Sequence, residues 1–120
     1  MTFEKIIEVL RKEFYSKVEE RELAKEALEY ESRSFRRYEH KLFTSLECFK
    51  IALDIDEYNI SDDAKIRMCR SKLNFNEDMT WIHYNEERKN GVDSELIDSW
   101  HELVIINSLI TNLYRSEEHN

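Results

Sequence analysis

The chain has 120 residues, the length of one ordinary domain, and it can bury roughly two-thirds of its unfolded surface without staples. It has no proline and a single glycine, which excludes a Gly-rich phosphate loop. Its 2 Trp, 6 Tyr and 6 Phe argue against disorder even though 37% of the residues are charged. The formal net charge of -8 opposes nucleic acid and anionic lipid, favours solubility and speeds encounter with a basic partner.

The apolar residues fall at helical spacing throughout. They predict an all-α fold, a single helical domain over residues 1–120, built as an antiparallel bundle of four helices (five if an early break is real). In the first segment, Phe3, Ile6, Ile7, Leu10 and Phe14 form one stripe, and Thr2 is its N-cap. Ser16 and Glu19 match a capping box, which suggests a break near residue 16. An unusually long second helix is expected from about residue 17 to about 57, with Leu28, Phe35, Leu42 and Phe49 repeating at sevens. A continuous rod of that length would measure roughly 60 Å. It must therefore kink, project or pair with a second copy, and the apolar-poor stretch from Glu29 to Ser34 is the place for this.

Residues 54–63 interrupt the pattern with five acids, and Ser61 reads as an N-cap followed by Asp62 and Asp63 in the first turn. The third helix carries Ala64, Met68, Phe75, Met79 and Ile82 as its expected core stripe, with Leu73, Trp81 and Tyr84 off it. Asn90-Gly91 is the firmest stop, with Gly91 in the left-handed conformation. Asp93 is the expected cap of the fourth helix, which is apolar most of the way round after Leu103 and frays from Arg115.

Cys48 and Cys69 sit in no metal or redox motif and read as reduced thiols of a cytoplasmic protein. The N-terminal segment lacks the features of a signal peptide. The longest aliphatic run, Leu103 to Ile106, is too short to span a bilayer, so no membrane association is expected. No cofactor and no metal are expected. Asp98-x-x-His101 and His83-x-x-Glu86, with Glu39, His40 and Glu47, are the nearest approach to a bundle metal set, and no true Glu-x-x-His occurs. Asp54-x-Asp56-x-Tyr58 begins like a calcium loop, but Asn59 and Lys65 replace the Gly and Glu that the loop needs.

Two surface constellations remain. Arg21, Lys25, Glu29, Arg33, Arg37 and Lys41 fall four apart, with Arg36 and His40 beside them. This basic stripe, centred on Arg33, Arg36, Arg37 and Lys41, either binds an anion or pairs with Glu22, Glu26 or Glu29 at helical spacing or with the acidic 54–63 segment. Seven steps bring Arg33 and His40 to nearly one helical face. That spacing resembles the R-x(4–6)-H motif of HEPN-type ribonucleases, small helical bundles that often act as dimers. The resemblance covers two residues. It implies His40 as acid/base and Arg33 as holder of the scissile phosphate, with Ser34 where the family has a polar Asn, Asp or His.

The second constellation is the acidic interruption itself: Asp54, Asp56, Glu57, Asp62 and Asp63 around Tyr58, an aromatic anchor ringed by charge. It supports the leading expectation, a small acidic, non-enzymatic interaction protein. Such a chain would bind and block another protein, a basic one such as a nuclease, in the manner of immunity proteins and phage inhibitors of host defence. The ribonuclease-like bundle is the second expectation. A homo-oligomeric scaffold, its dimer seam on the second or fourth helix, is the third.

Overall fold

Capping chemistry sets the helix boundaries, and it does not always act where the sequence pattern predicts. The computed structural model describes residues 1–118 and holds four helices: α1 (Phe3–Ala27), α2 (Arg33–Asp56), α3 (Asp62–Lys89) and α4 (Leu96–Glu118). Helix α1 runs straight through Ser16, so the break expected there is absent. Ser16 and Glu19 lie mid-helix, where the continuing i→i−4 ladder leaves no orphan amide for a capping box to satisfy. Thr2 occupies the N-cap position without a side-chain cap bond; the backbone N–H of Phe3 donates instead to Oδ2 of Asp62 at 3.3 Å.

The long second helix is also corrected. Its predicted span is divided between α1 and α2, and α2 has 24 residues against 25 for α1 and 28 for α3. The reversal falls within the apolar-poor stretch. Leu28 leaves the helix in extended conformation, Glu31 takes a left-handed φ of 70°, and the Ser32 hydroxyl accepts from the N–H of Phe35 at 3.1 Å. A serine N-cap followed by a fully buried phenylalanine gives the new helix both a satisfied start and an anchor. Leu28, Phe35, Leu42 and Phe49 therefore do not share one rod.

The expected boundaries of α3 hold. The Ser61 hydroxyl accepts from the N–H of Ala64 at 3.2 Å, and Gly91 has a φ of 77° just past the helix end. At α4 the cap shifts by one residue from the expected Asp93. Ser94 is buried and its hydroxyl accepts from the N–H of Leu96 at 3.2 Å, while Asp93 is exposed. The tail expected to fray from Arg115 stays helical to Glu118, and Glu117 ion-pairs with Lys5 of α1.

Antiparallel neighbours are visible in specific contacts. Between α1 and α2, Phe14 meets Phe49 and Arg21 meets Glu39. Between α3 and α4, Trp81 stacks on Trp100 at 4.5 Å and the Asn107 side chain donates to Glu77 and to the carbonyl of Leu73. All four helices contribute to one core of Phe3, Ile6, Ile7, Leu10, Cys48, Ala52, Ile55, Ile66, Cys69, Leu73, Leu103, Ile106 and Ile110. Burial pushes the thiol of Cys48 up to about 12 and that of Cys69 up to about 11.

One packing result inverts the sequence expectation. The inward face of α3 is Ile66, Cys69 and Leu73. The predicted core stripe lies opposite: Met68 is 42%, Phe75 61% and Ile82 47% exposed. Periodicity marks a helix face as apolar. Which of two apolar faces turns inward depends on what the neighbouring helices present, and the longer, more regular stripe was the outer one. Among the described residues no helix is long and apolar enough to cross a membrane.

Candidate functional site

The densest charged constellation forms where the first turns of α2 meet the first turn of α4. Phe35 is buried and fixes the rotation of α2, so Arg33, Arg36, Arg37 and His40 approach Glu95 and Asp98. Arg33 Nη1 lies 2.7 Å from Asp98 Oδ2, and Arg37 Nε lies 3.6 Å from Asp98 Oδ1. Arg36 donates through Nε at 2.8 Å to Glu95 Oε1, and His40 Nε2 sits 2.6 Å from Glu95 Oε2. Arg33 Nε is more distant, 3.8 Å from the same Glu95. The hydrogen bonds from Arg36 and then His40 hold the Glu95 carboxyl down to about 2. The Asp98 side chain is only 5% exposed and lies in the first turn of α4, where a carboxylate also complements the helix dipole.

Arg33 and His40 are thus brought together as the sequence spacing predicts, but onto carboxylates of a distant segment. The partners expected for the basic stripe, Glu22, Glu26, Glu29 or the 54–63 segment, are not the ones that bind Arg33, Arg36 and Arg37. The stripe is not one face either, because the reversal at residues 28–32 separates Arg21 and Lys25 from the rest; Arg21 pairs with Glu22 and with Glu39. Lys41 turns elsewhere and lines a shallow groove with Lys17, Leu23, Ala24 and Tyr38. In chemical terms, His40 is oriented by a carboxylate, a pairing useful to a general acid or base. A phosphate reaching Arg33, however, must displace the nearly buried Asp98. The cluster therefore works first as a clamp between α2 and α4.

The acidic constellation is open. Asp54 and Asp56 end α2, Glu57 is its C-cap, and Asp62 and Asp63 start α3; all are exposed, as are Tyr58 (49%) and Ile60. Asp56 accepts from Lys65 Nζ at 3.3 Å. Among the described residues, Asp54, Glu57 and Asp63 form no ion pair. The possible metal residues do not converge. Asp98 is taken up by arginines, His101 stacks on Trp100, and no three His, Cys, Asp or Glu side chains among the described residues surround a possible ion position.

Sequence reasoning missed a buried carboxyl pair. Glu102 of α4 is fully buried beside Glu13 of α1, and among the described residues neither Glu102 oxygen has a hydrogen-bond donor. Lys17 Nζ lies 3.0 Å from Glu20, 3.7 Å from Glu13 and 3.9 Å from Glu102. Burial is the main cause that raises the Glu102 carboxyl well above the usual range, and its contact with Glu13 adds to it. A proton on Glu102 supplies the missing donor. The available signal was a carboxylate placed beside the apolar run Leu103 to Ile106. Comparison with protein-family models, with curated proteins and with solved structures finds no match to this chain.

Proposed function

We propose that this chain is a small acidic interaction protein, an antiparallel four-helix bundle that docks on a basic partner protein through the turn between α2 and α3 and blocks or scaffolds it. The observation that carries this reading is the exposure of Tyr58 and Ile60 among Asp54, Asp56, Glu57, Asp62 and Asp63, of which, among the described residues, only Asp56 has an ion-pair partner, Lys65. An apolar anchor gives affinity once desolvated, and the surrounding carboxylates steer and select a positive partner. Arg33, Arg36 and Arg37 of α2 do not offset this field, because Glu95 and Asp98 already hold them.

The test uses the wild-type chain and an Asp54→Lys, Glu57→Lys, Asp63→Lys variant as baits in lysate of the source cell. A basic protein retained by the wild type and lost by the variant supports the reading. Equal retention of every bound protein by both baits overturns it.

A second reading, a ribonuclease-like bundle, is favoured by one observation, the carboxylate-oriented His40 with Arg33 on the same helix. It requires RNA cleavage by the wild type that His40→Ala abolishes while helicity by circular dichroism stays unchanged. A wild-type chain that leaves RNA intact removes it.

A further inference from the structure

The two halves of α1 are held to the bundle by different chemistry. The first half buries Phe3, Ile6, Ile7 and Leu10 in the core. Among the described residues, Lys17 and Ala24 are all that the second half buries. Its other attachments include Phe14, half-buried beside Phe49 with ring centres 6.1 Å apart, and Arg21, 3.1 Å from Glu39. Beneath this second half lies Glu102 of α4, fully buried, in contact with Glu13 and 3.9 Å from Lys17 Nζ. Lys17 is closer to Glu20, at 3.0 Å, so one ammonium serves three carboxyls. From α2, Lys41 and the Cys48 thiol are the charged and titratable neighbours of Glu102. Among the described residues no α3 side chain forms an ion pair with it. A groove of about 550 Å³ runs along the same edge, lined by Lys17, Glu20, Ala24, Leu28, Tyr38 and Lys41, so water stands next to the cluster.

We propose that residues 13–27 of α1 form a pH-sensitive strap, closed over Glu102 while that carboxyl carries a proton and lifting from the bundle as the proton is lost. In the closed state the protonated Glu102 donates its O–H to Glu13, and the pair carries one negative charge beside Lys17. Once both are ionised, two carboxylates touch in a dry layer and share an ammonium that Glu20 also holds. Lifting the strap returns Glu13, Lys17 and Glu102 to water and leaves Phe3, Ile6, Ile7 and Leu10 packed. Whole-chain unfolding would expose the entire core for the same relief. The strap remains tethered by the apolar first half of α1 and by the turn at residues 28–32. A segment of that length is marginal as a helix away from its packing surface, so lifting also frees its backbone amides. The sign follows from burial. Glu102 binds its proton more tightly closed than open, so opening is favoured as pH rises above the ordinary value of 4.5, by about tenfold per pH unit until the closed-state value is passed. The strap adjoins the start of α2, whereas the proposed docking turn follows the end of α2, and the two readings stand or fall independently.

The test is native-state amide exchange of the full chain, read residue by residue from about pH 5 to about pH 8 in low urea and corrected for the intrinsic exchange rate at each pH. In the wild type, amides of residues 17–27 should open more often than those of Ile6, Ile7 and Leu10, and with a smaller urea dependence, because less surface is exposed. Their opening constant should rise about tenfold per pH unit. Glu102→Gln should keep the smaller urea dependence and lose the rise with pH. Glu19→Gln, on the exposed side of the strap, should change neither. If residues 17–27 share the opening constant and urea dependence of Ile6, Ile7 and Leu10, whole-chain unfolding carries all the exposure and the proposal is overturned. An opening constant indifferent to pH in the wild type overturns it too, as does a rise with pH that Glu102→Gln retains.

Discussion

Glu102 is placed in the core at a cost to the fold. It lies in the core with no donor of its own, and its neighbours are a second carboxyl, Glu13, and the ammonium of Lys17. Burying a lone carboxylate is unfavourable, so the fold holds Glu102 protonated. The sign of the linkage follows. The folded value lies above the ordinary value of 4.5, so the contribution of Glu102 to stability is fully present below pH 4.5 and is lost as pH rises through its folded value. Glu95 behaves in the opposite sense. Its carboxyl is held down to about 2, so its contribution is present above 4.5 and is lost as pH falls towards 2. Glu102→Gln keeps the shape, supplies an amide donor to Glu13 and removes the titration. It should raise stability at neutral pH by about 1–3 kcal/mol, at roughly 1.4 kcal/mol per pH unit of linkage. Urea midpoints of both chains from pH 5 to pH 8, spanning about three units of that linkage, measure this; a wild-type chain whose midpoint does not fall relative to the variant contradicts it.

At the scale of elements, the α2–α4 clamp sets how the two hairpin-like pairs meet. Asp98 holds Arg33 and Arg37, and Glu95 holds Arg36 and His40, so the first turn of α4 and the residue just before it organise the first two turns of α2. Most surface ion pairs contribute little, but Asp98 is nearly buried and its loss leaves two guanidinium groups facing an amide. Those groups remain partly hydrated, with Arg33 35% and Arg37 57% exposed at the side chain. Asp98→Asn should therefore cost about 1–3 kcal/mol, less than removal of a fully buried partner. The midpoint of urea unfolding should fall with an unchanged slope. An unaltered midpoint would mean that apolar packing alone joins the two helices.

At the scale of the whole molecule, the proposed docking surface works through charge. The α2–α3 turn exposes Asp54, Glu57 and Asp63 in a chain whose formal charge is -8. Screening tests it. Between about 0.01 and about 1 M ionic strength the screening length falls from about 30 to about 3 Å. Association with a basic partner should slow by tenfold or more over that range. Stopped-flow association rates across the salt series report it. A partner on-rate indifferent to salt would argue against electrostatic docking.

The sequence by itself determined the all-helical class, the stop at Asn90-Gly91 and the start of α3 at Ser61. These follow from local chemistry: periodic apolar residues, a left-handed glycine and a serine that satisfies an orphan amide. It also marked residues 29–34 as a weak point in the long rod, though not as a full reversal, because the turn relies on Glu31 adopting a positive φ that no residue type there announces. Tertiary structure alone decided the rest. It sent Arg33, Arg36, Arg37 and His40 to carboxylates more than fifty residues away, sealed Glu102 beside Glu13, and chose the face of Leu73 over that of Phe75 for the core. Spacing along a chain fixes which side chains share a face. It does not fix which face meets a neighbour, and in this protein that choice leaves an apolar row on the surface and takes the basic stripe out of it.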